Sequence, residues 1–112
     1  MIELMDRKDE INFFHAEDVI KVFQEKSGSV KVCLVGGCFV RTNVPLKVVL
    51  ANCGSLCEII NSDQNIEYAN PKFVTLIQTT ESGGVRVVYI DGQYTFTYED
   101  IDSVRERLDQ DN

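Results

Sequence analysis

Residues 27–42 read SGSVKVCLVGGCFVRT, and residues 82–97 read SGGVRVVYIDGQYTFT. The two segments align without a gap at an offset of 55 positions (82 − 27 = 55). The alignment extends outward from Ile11 on Ile66 to Val49 on Val104. The residues that recur unchanged within it are Ile11, Val19, Ser27, Gly28, Val30, Val32, Gly37, Thr42 and Val49. Such an internal repeat predicts two copies of one structural unit.

Each copy has the pattern of three antiparallel strands, because runs of β-branched and aromatic side chains, which favour strands, alternate with short turns. The predicted strands are residues 19–25, 30–35 and 38–41 in the first copy and 73–80, 85–90 and 93–96 in the second. Gly36-Gly37 and the equivalent Asp91-Gly92 suit two-residue hairpin loops, since these loops need positive φ angles.

A helix is predicted after the third strand of each copy. In the first copy Pro45 suits the first turn of a helix, and apolar residues follow at helical spacing. This apolar stripe is Leu46, Val49, Leu50, Cys53, Cys57 and Ile60. It predicts a helix that runs to Ile60, with an end or a bend at Gly54 as the alternative. The stripe of the second helix is Ile101, Val104 and Leu108.

The fold class predicted from these patterns is α+β. We expect two tandem β-β-β-α repeats, each an antiparallel meander with one helix, that bury their apolar faces against each other with pseudo-twofold character. With 112 residues the chain is predicted to be a single domain of residues 1–112. Its parts are repeat one at residues 11–50, a connector at 51–65 and repeat two at 66–105. A homodimer is a further expectation.

The composition limits the classes of partner. The net charge is −7, which opposes tight binding to phosphate backbones. Residues 1–10 carry charges where a signal peptide needs an apolar run, and no segment approaches the ~20 apolar residues of a membrane span. We therefore expect a cytoplasmic protein with no membrane partner.

The residue types that carry catalysis or bind metals do not form a recognisable set. The four cysteines are Cys33, Cys38, Cys53 and Cys57, with C-x4-C and C-x3-C spacings, whereas structural zinc sites favour C-x2-C. Thiols in the cytoplasm are reduced, and core packing suits Cys53 and Cys57 better than reactivity. The single histidine, His15, lacks a catalytic constellation. We therefore predict no catalytic residues, no metal and no cofactor.

The second copy, residues 66–108, reads IEYANPKFVTLIQTTESGGVRVVYIDGQYTFTYEDIDSVRERL. It resembles the small flagellar regulator family FlbD, and the first copy shares the pattern. In that family an extended segment with Asn-Pro-like residues leads to a strand, then to a hairpin with Asp-Gly or Asn-Gly, and then to a short helix. The resemblance implies a small regulator.

Over its whole length the chain also resembles a LytTR DNA-binding domain. That family runs strands, a Leu-rich helix, an extended segment ending in a hydrophobic-Asn step, further strands and a final helix. Residues 46–60 would be the helix, Ala69-Asn70 the step and residues 73–90 the last hairpin. The resemblance implies a transcriptional regulator.

Two departures from LytTR domains concern the DNA-binding surface. Those domains place Arg, His and Ser just before the hydrophobic-Asn step, where this chain has SDQNIE at residues 62–67. After the last hairpin, residues 97–100 read TYED. Both segments are acidic, so the resemblance implies a DNA surface that is weakened or lost.

Three surfaces are candidates for contact with a partner. The hairpin of the first copy carries a candidate nucleic-acid patch of Lys26, Lys31 and Arg41. The candidate acidic partner surface is Asp91, Glu99, Asp100, Asp102 and Glu106, although a solvated helix face is the favoured interpretation of these charges. The aromatic residues Phe39, Tyr94, Phe96 and Tyr98 form a candidate patch, for which sheet packing is the favoured interpretation.

These observations predict a small, non-enzymatic regulatory or protein-interaction domain with a protein partner of unknown identity. Two alternatives remain open: a LytTR-like DNA-binding transcriptional regulator, and an acidic inhibitor that mimics nucleic acid. The charge of residues 62–67 argues against tight binding of nucleic acid. Acidic residues gathered on one face would favour the inhibitor.

Overall fold

The computed structural model describes residues 1–109, which form an α+β domain of ten strands and two α-helices. The strands form three antiparallel sheets of two, five and three strands. The predicted α+β class is therefore confirmed. Residues 110–112, the end of the predicted domain of residues 1–112, lie outside the described residues.

The first half of the chain contains five strands and a helix. In chain order these are β1 (Ile2–Met5), β2 (Ile11–Phe14), β3 (Val19–Gln24), β4 (Val30–Leu34), β5 (Phe39–Thr42) and α1 (Leu46–Asn52). The second half contains β6 (Cys57–Ile60), β7 (Ile66–Ala69), β8 (Val74–Thr79), β9 (Val85–Tyr89), β10 (Tyr94–Thr97) and α2 (Ile101–Asp109). Short 3₁₀ helices at Ala16–Asp18 and Pro71–Phe73 precede β3 and β8.

The order of elements in the first half recurs in the second. Every strand of the second half begins and ends 55 positions after its equivalent, as β1 (Ile2–Met5) and β6 (Cys57–Ile60) illustrate. Backbone turns recur too: Asp9 and Gln64, at equivalent positions, have φ angles of 66° and 69°. The pseudo-twofold relation between the halves stays a prediction.

The predicted unit of three strands and a helix is not what the structure contains. Each half begins with an additional hairpin, β1–β2 or β6–β7. Residues 51–65, predicted as a connector, therefore contain the end of α1, strand β6 and the turn of the second hairpin. The boundary between the halves lies instead between α1 and β6.

The predicted helix to Ile60 is wrong, and the alternative prediction, an end at Gly54, is confirmed. Helix α1 ends at Asn52, and the N–H of Cys53 still bonds to the carbonyl of Leu50. Gly54 then adopts a φ of 78°, a conformation that side chains disfavour, and the chain turns into β6. Cys57 and Ile60 therefore belong to a strand, although their spacing from Cys53 is helical.

The order of the strands within the five-stranded sheet differs from their order along the chain. The five-stranded sheet runs β5-β4-β3-β7-β6, so the hairpin that opens the second half extends the meander of the first half. The three-stranded sheet runs β10-β9-β8, and β1–β2 forms a two-stranded sheet of its own. Strand β3 therefore lies inside a sheet, whereas its equivalent β8 lies at an edge.

Two hydrophobic clusters form the core. Cluster 1 consists of first-half residues: Leu4, Phe14, Val19, Val22, Val30, Val32, Leu34, Val40, Val49 and Cys53. Cluster 2 consists of Ile20, Cys33, Ile59, Ala69, Phe73, Val85, Val87, Tyr89, Val104 and Leu108. Ile20 and Cys33 belong to the first half, so the far face of the first sheet packs on the core of the second half.

Candidate interaction surfaces

Two of the three predicted cations of the first hairpin converge on one aromatic ring. Lys31 of β4 and Arg41 of β5 are cross-strand partners. The Lys31 Nζ lies 4.4 Å, and the Arg41 Cζ 4.6 Å, from the centroid of Phe39. We call Lys31, Phe39 and Arg41 the cation–aromatic patch. Lys26 lies in the exposed turn between β3 and β4, next to Glu25.

One of these cations is neutralised. The Arg41 Nε donates to the Glu25 Oε1 at 2.7 Å. This hydrogen bond lowers the pKa of Glu25, so the carboxylate stays charged beside the patch. The patch is therefore less basic than the sequence indicated, which opposes contact with phosphates.

The second half presents an equivalent pair. Arg86 and Tyr94 occupy the positions of Lys31 and Phe39, and the Arg86 Cζ lies 5.0 Å from the Tyr94 centroid. Phe39 is 48% exposed and Tyr94 is 53% exposed. Cation–π pairs of this kind contribute about 0.5–1 kcal/mol at exposed sites. Sheet packing, the interpretation favoured from sequence, does not cover these two rings.

The predicted acidic surface does not behave as one set. Glu99 is engaged: its Oε2 accepts the Ile60 N–H at 3.0 Å, and its Oε1 pairs with the Arg107 Nη2 at 2.8 Å. Asp91 lies in the β9–β10 turn and accepts the Gln93 N–H. Asp100, Asp102 and Glu106 lie exposed in and just before α2. Of the five residues, only Asp100, Asp102 and Glu106 therefore belong to the same part of the fold, which is α2 and the residue before it.

Phe96 and Tyr98 differ from the other aromatic residues. Their rings meet edge to face, with centroids 5.2 Å apart. The Phe96 ring also covers Gly84, leaving no space for a Cβ atom there. Phe96 therefore packs on the sheet as expected, while Tyr98 is exposed.

Among the described residues, the thiols and the histidine differ in burial and do not form a metal site. Cys33 and Cys53 are buried in clusters 2 and 1, and burial raises the pKa of both thiols, that of Cys53 to about 11. Cys38 is exposed, and His15 is exposed at the end of β2. Within residues 1–109, no three His, Cys, Asp or Glu side chains are grouped closely enough to hold a metal ion.

A buried ion pair between the halves was not predicted from the sequence. The Lys21 Nζ in β3 lies 2.9 Å from the Glu67 Oε1 in β7. The same oxygen accepts the Thr95 hydroxyl at 2.9 Å, and the Glu67 Oε2 accepts the Asn61 amide at 2.9 Å. Since the Thr95 proton is used, the Tyr89 hydroxyl donates to Thr95 at 2.7 Å.

This network is satisfied, and its partners come from both halves. It therefore fixes the orientation of β7 on β3. A Lys in the middle of the apolar run VIKVF and a Glu in IEYA were the only sequence signals for it. We assign it a structural role.

Among the strands at sheet edges, which are β1, β2, β5, β6, β8 and β10, strands β2 and β8 are the equivalents of the paired strands β7 and β3. In the part of the chain that the structure describes, β2 pairs with β1 alone and β8 with β9 alone. Strand edges that carry free N–H and C=O groups are templates for further pairing. Along β8 runs a groove of about 390 Å³, lined by Pro71, residues 74–77, Leu108 and Asp109.

Neither helix within residues 1–109 is long and apolar enough to cross a membrane. No protein-family model, curated protein or solved structure shows a significant match to this chain.

Proposed function

We propose that this chain is a small, non-enzymatic regulatory module that binds a partner protein through its exposed cation–aromatic contacts. One observation carries the proposal. The pair Lys31–Phe39 recurs as Arg86–Tyr94, with both rings about half exposed. Aromatic residues and Arg are the side chains enriched at the centres of protein interfaces.

The neighbouring side chains support this proposal. Val35 and Ile90 are equivalent residues that follow β4 and β9, and both are exposed. Each hairpin therefore combines an aromatic ring, a cation and an aliphatic side chain at its surface. Exposed apolar groups that recur at equivalent positions favour contact with a protein over contact with solvent alone.

Nucleic acid is the second candidate partner. In its favour, Lys31 and Arg41 flank an exposed ring, and single-stranded nucleic acids bind to cations beside stacking aromatics. Against it stand the Glu25 carboxylate on Arg41 and the net charge of −7. The LytTR-like alternative is therefore the weaker one.

The acidic-inhibitor alternative depends on Asp100, Asp102 and Glu106. Asp102 lies 3.8 Å from an Arg105 guanidinium nitrogen, so part of the acidic surface is already compensated. A nucleic-acid mimic needs a continuous row of uncompensated charges. This alternative consequently ranks below a protein-interaction module.

A photo-crosslinking amino acid placed at position 39 or 94 tests the proposal in nuclease-treated lysate of the source cells. We expect a covalent adduct with a different protein from position 39 or 94 but not from the matched exposed position 48 on α1. Replacing Lys31 and Arg86 with Ala should weaken the adduct. Adducts that need nucleic acid, or equal labelling from all three positions, would contradict the proposal.

A further inference from the structure

Strand β7 joins the halves of this chain by pairing on both of its edges. It pairs with β6 on one edge and with β3 on the other. The register with β3 places Lys21 opposite Ala69, Val22 opposite Tyr68 and Phe23 opposite Glu67. Asn70 extends the contact, because its backbone N–H donates to Ile20 O at 2.9 Å and its side chain to Val19 O at 2.8 Å.

The equivalents of β7 and β3, which are β2 and β8, do not pair with each other within the chain. Moving the contact by 55 positions replaces β7 with β2 and β3 with β8. The same register would then place Phe14 opposite Leu76, Phe13 opposite Ile77 and Asn12 opposite Gln78. His15 takes the place of Asn70, with a ring N–H available to donate. Strands β2 and β8 lie in different sheets, so one chain does not make this contact within itself.

The side chains at these positions are exposed where their equivalents are covered. Tyr68 packs against cluster 1, the core of the other half, whereas its equivalent Phe13 is 60% exposed. Lys21 is buried, whereas its equivalent Leu76 is 47% exposed. A contact between β2 and β8 equivalent to the β7–β3 contact would therefore cover both Phe13 and Leu76.

The sheet face that carries Leu76 of β8 is also exposed to solvent. Leu76, Val88 and Tyr94 are cross-strand neighbours in β8, β9 and β10, and they form an apolar row. The equivalent row of the first sheet begins with Lys21 and Cys33, which the second half covers. The groove along β8 runs beside this row.

Charge does not protect these edges. Strand β2 reads INFF and β8 reads VTLIQT, with no charged residue in either. Isolated edge strands usually carry charges, Pro or bulges that prevent pairing. Strand β8 has an irregular register with β9 between Val74 and Leu76, but β3 has the equivalent irregularity between Val19 and Lys21 and still pairs with β7. The absence of charge within these two strands also means that pairing them buries no unpaired ion.

We propose that a second copy of this chain covers β8, and that its β2 adds to the sheet in the register of the β7–β3 contact. The mode is head to tail, because a surface of one copy meets a different surface of the next. Two copies close when each gives its β2 to the other; otherwise the assembly grows as an open chain. The proposal rests on strand pairing and does not involve Lys31, Phe39 or Arg41, but it shares Tyr94 with the surface of the proposed function.

Two charge substitutions block one edge each and test this arrangement. Phe13→Lys disables β2 but leaves β8 intact, and Leu76→Lys does the reverse. Both residues are exposed, so the fold should be kept, which circular dichroism checks. Val48→Lys, at an exposed position on α1, is the matched control. Masses are measured by sedimentation and light scattering over a range of concentrations.

We expect the wild type and Val48→Lys to exceed the mass of the 12.7 kDa chain as concentration rises. Each edge variant alone should associate at least about tenfold more weakly, since a charge would be buried without a partner. An equimolar mixture of the two should form a dimer that grows no further, because one intact β2 and one intact β8 remain. A wild type that is monomeric throughout, an edge variant that associates like the control, or a mixture that stays monomeric would each overturn the proposal.

Discussion

Lys21 and Glu67 form an ion pair that connects the two halves of the fold, with the Lys21 Nζ 2.9 Å from the Glu67 Oε1. Their side chains are 9% and 11% exposed. The Lys21 Nζ also lies 5.1 Å from the Phe23 ring and 5.4 Å from the Tyr89 ring. Desolvation offsets much of the attraction in such a pair, so its main effect is to select one arrangement of β7 on β3.

Removing one partner of this pair should destabilise the protein strongly. Lys21→Met or Glu67→Leu leaves the other charge buried, at a cost of about 3–5 kcal/mol in the free energy of unfolding. The double variant should recover only part of that loss, because the buried Thr95 hydroxyl still lacks its acceptor. Urea unfolding measures all three, and Arg105→Ala, which removes an exposed cation, should match the wild type. Single variants with the same urea midpoint as the wild type would show that removing one partner leaves no uncompensated buried charge.

The sequence was sufficient for the strands of the two meanders, but the predicted two-residue loops are wrong: each loop has three residues, since the Leu34 N–H bonds to the Cys38 carbonyl and the Tyr89 N–H to the Gln93 carbonyl. Predicted strands 19–25 and 30–35 correspond to β3 and β4, and Gly37 and Gly92 have positive φ angles in the turns that follow β4 and β9. These features follow from the conformational preferences of the residues in short segments, which can be read from the sequence alone. The cation–aromatic contacts also follow from the predicted hairpins, since Lys31 and Arg41 are cross-strand neighbours.

The hairpins β1–β2 and β6–β7 were missed because the residues of β6 fit a helix as well. Cys53, Cys57 and Ile60 have helical spacing, and four residues are too few to show a strand period. A signal was nevertheless present: residues 2–5, IELM, align with residues 57–60, CEII, at the same offset. The β7–β3 pairing and the Lys21–Glu67 contact are tertiary, and no local pattern specifies them.

Gly84 should tolerate no side chain. The Phe96 ring covers it and rests edge to face against Tyr98, so a Cβ atom would have to displace the ring. We expect Gly84→Ala to lower the free energy of unfolding by about 1–3 kcal/mol. The equivalent residue in the first half is Ser29, and Ser29→Ala is the control, with a smaller loss expected. In the Phe96→Leu background Gly84→Ala should cost little, because the clashing ring is absent; an unchanged penalty would place the clash elsewhere.

Duplex DNA should bind weakly or not at all at physiological salt. Glu25 holds Arg41, and residues 62–67 bring acidic rather than basic side chains. Any residual affinity should disappear when Lys31 and Arg41 are replaced by Ala, because these two cations flank the exposed Phe39 ring. Glu25→Gln should strengthen it by releasing Arg41. Mobility-shift assays at several salt concentrations measure this, and sub-micromolar, sequence-selective binding would favour the DNA-binding alternative.

Alkaline pH should destabilise the protein through its buried thiols. Burial raises the pKa of Cys53 from 9.0 to about 11 and also raises the pKa values of Cys33 and Tyr89. The folded protein thus keeps protons that the unfolded chain has lost, so stability is complete below pH ~9 and falls as the pH rises towards 11. For Cys53 the loss is about 2–3 kcal/mol. Cys53→Val keeps an apolar side chain of similar size, and its urea midpoint should fall less steeply between pH 9 and 11. Cys38→Val, at an exposed thiol, should keep the wild-type slope. Parallel curves for wild type and Cys53→Val would show that this thiol does not set the alkaline limit.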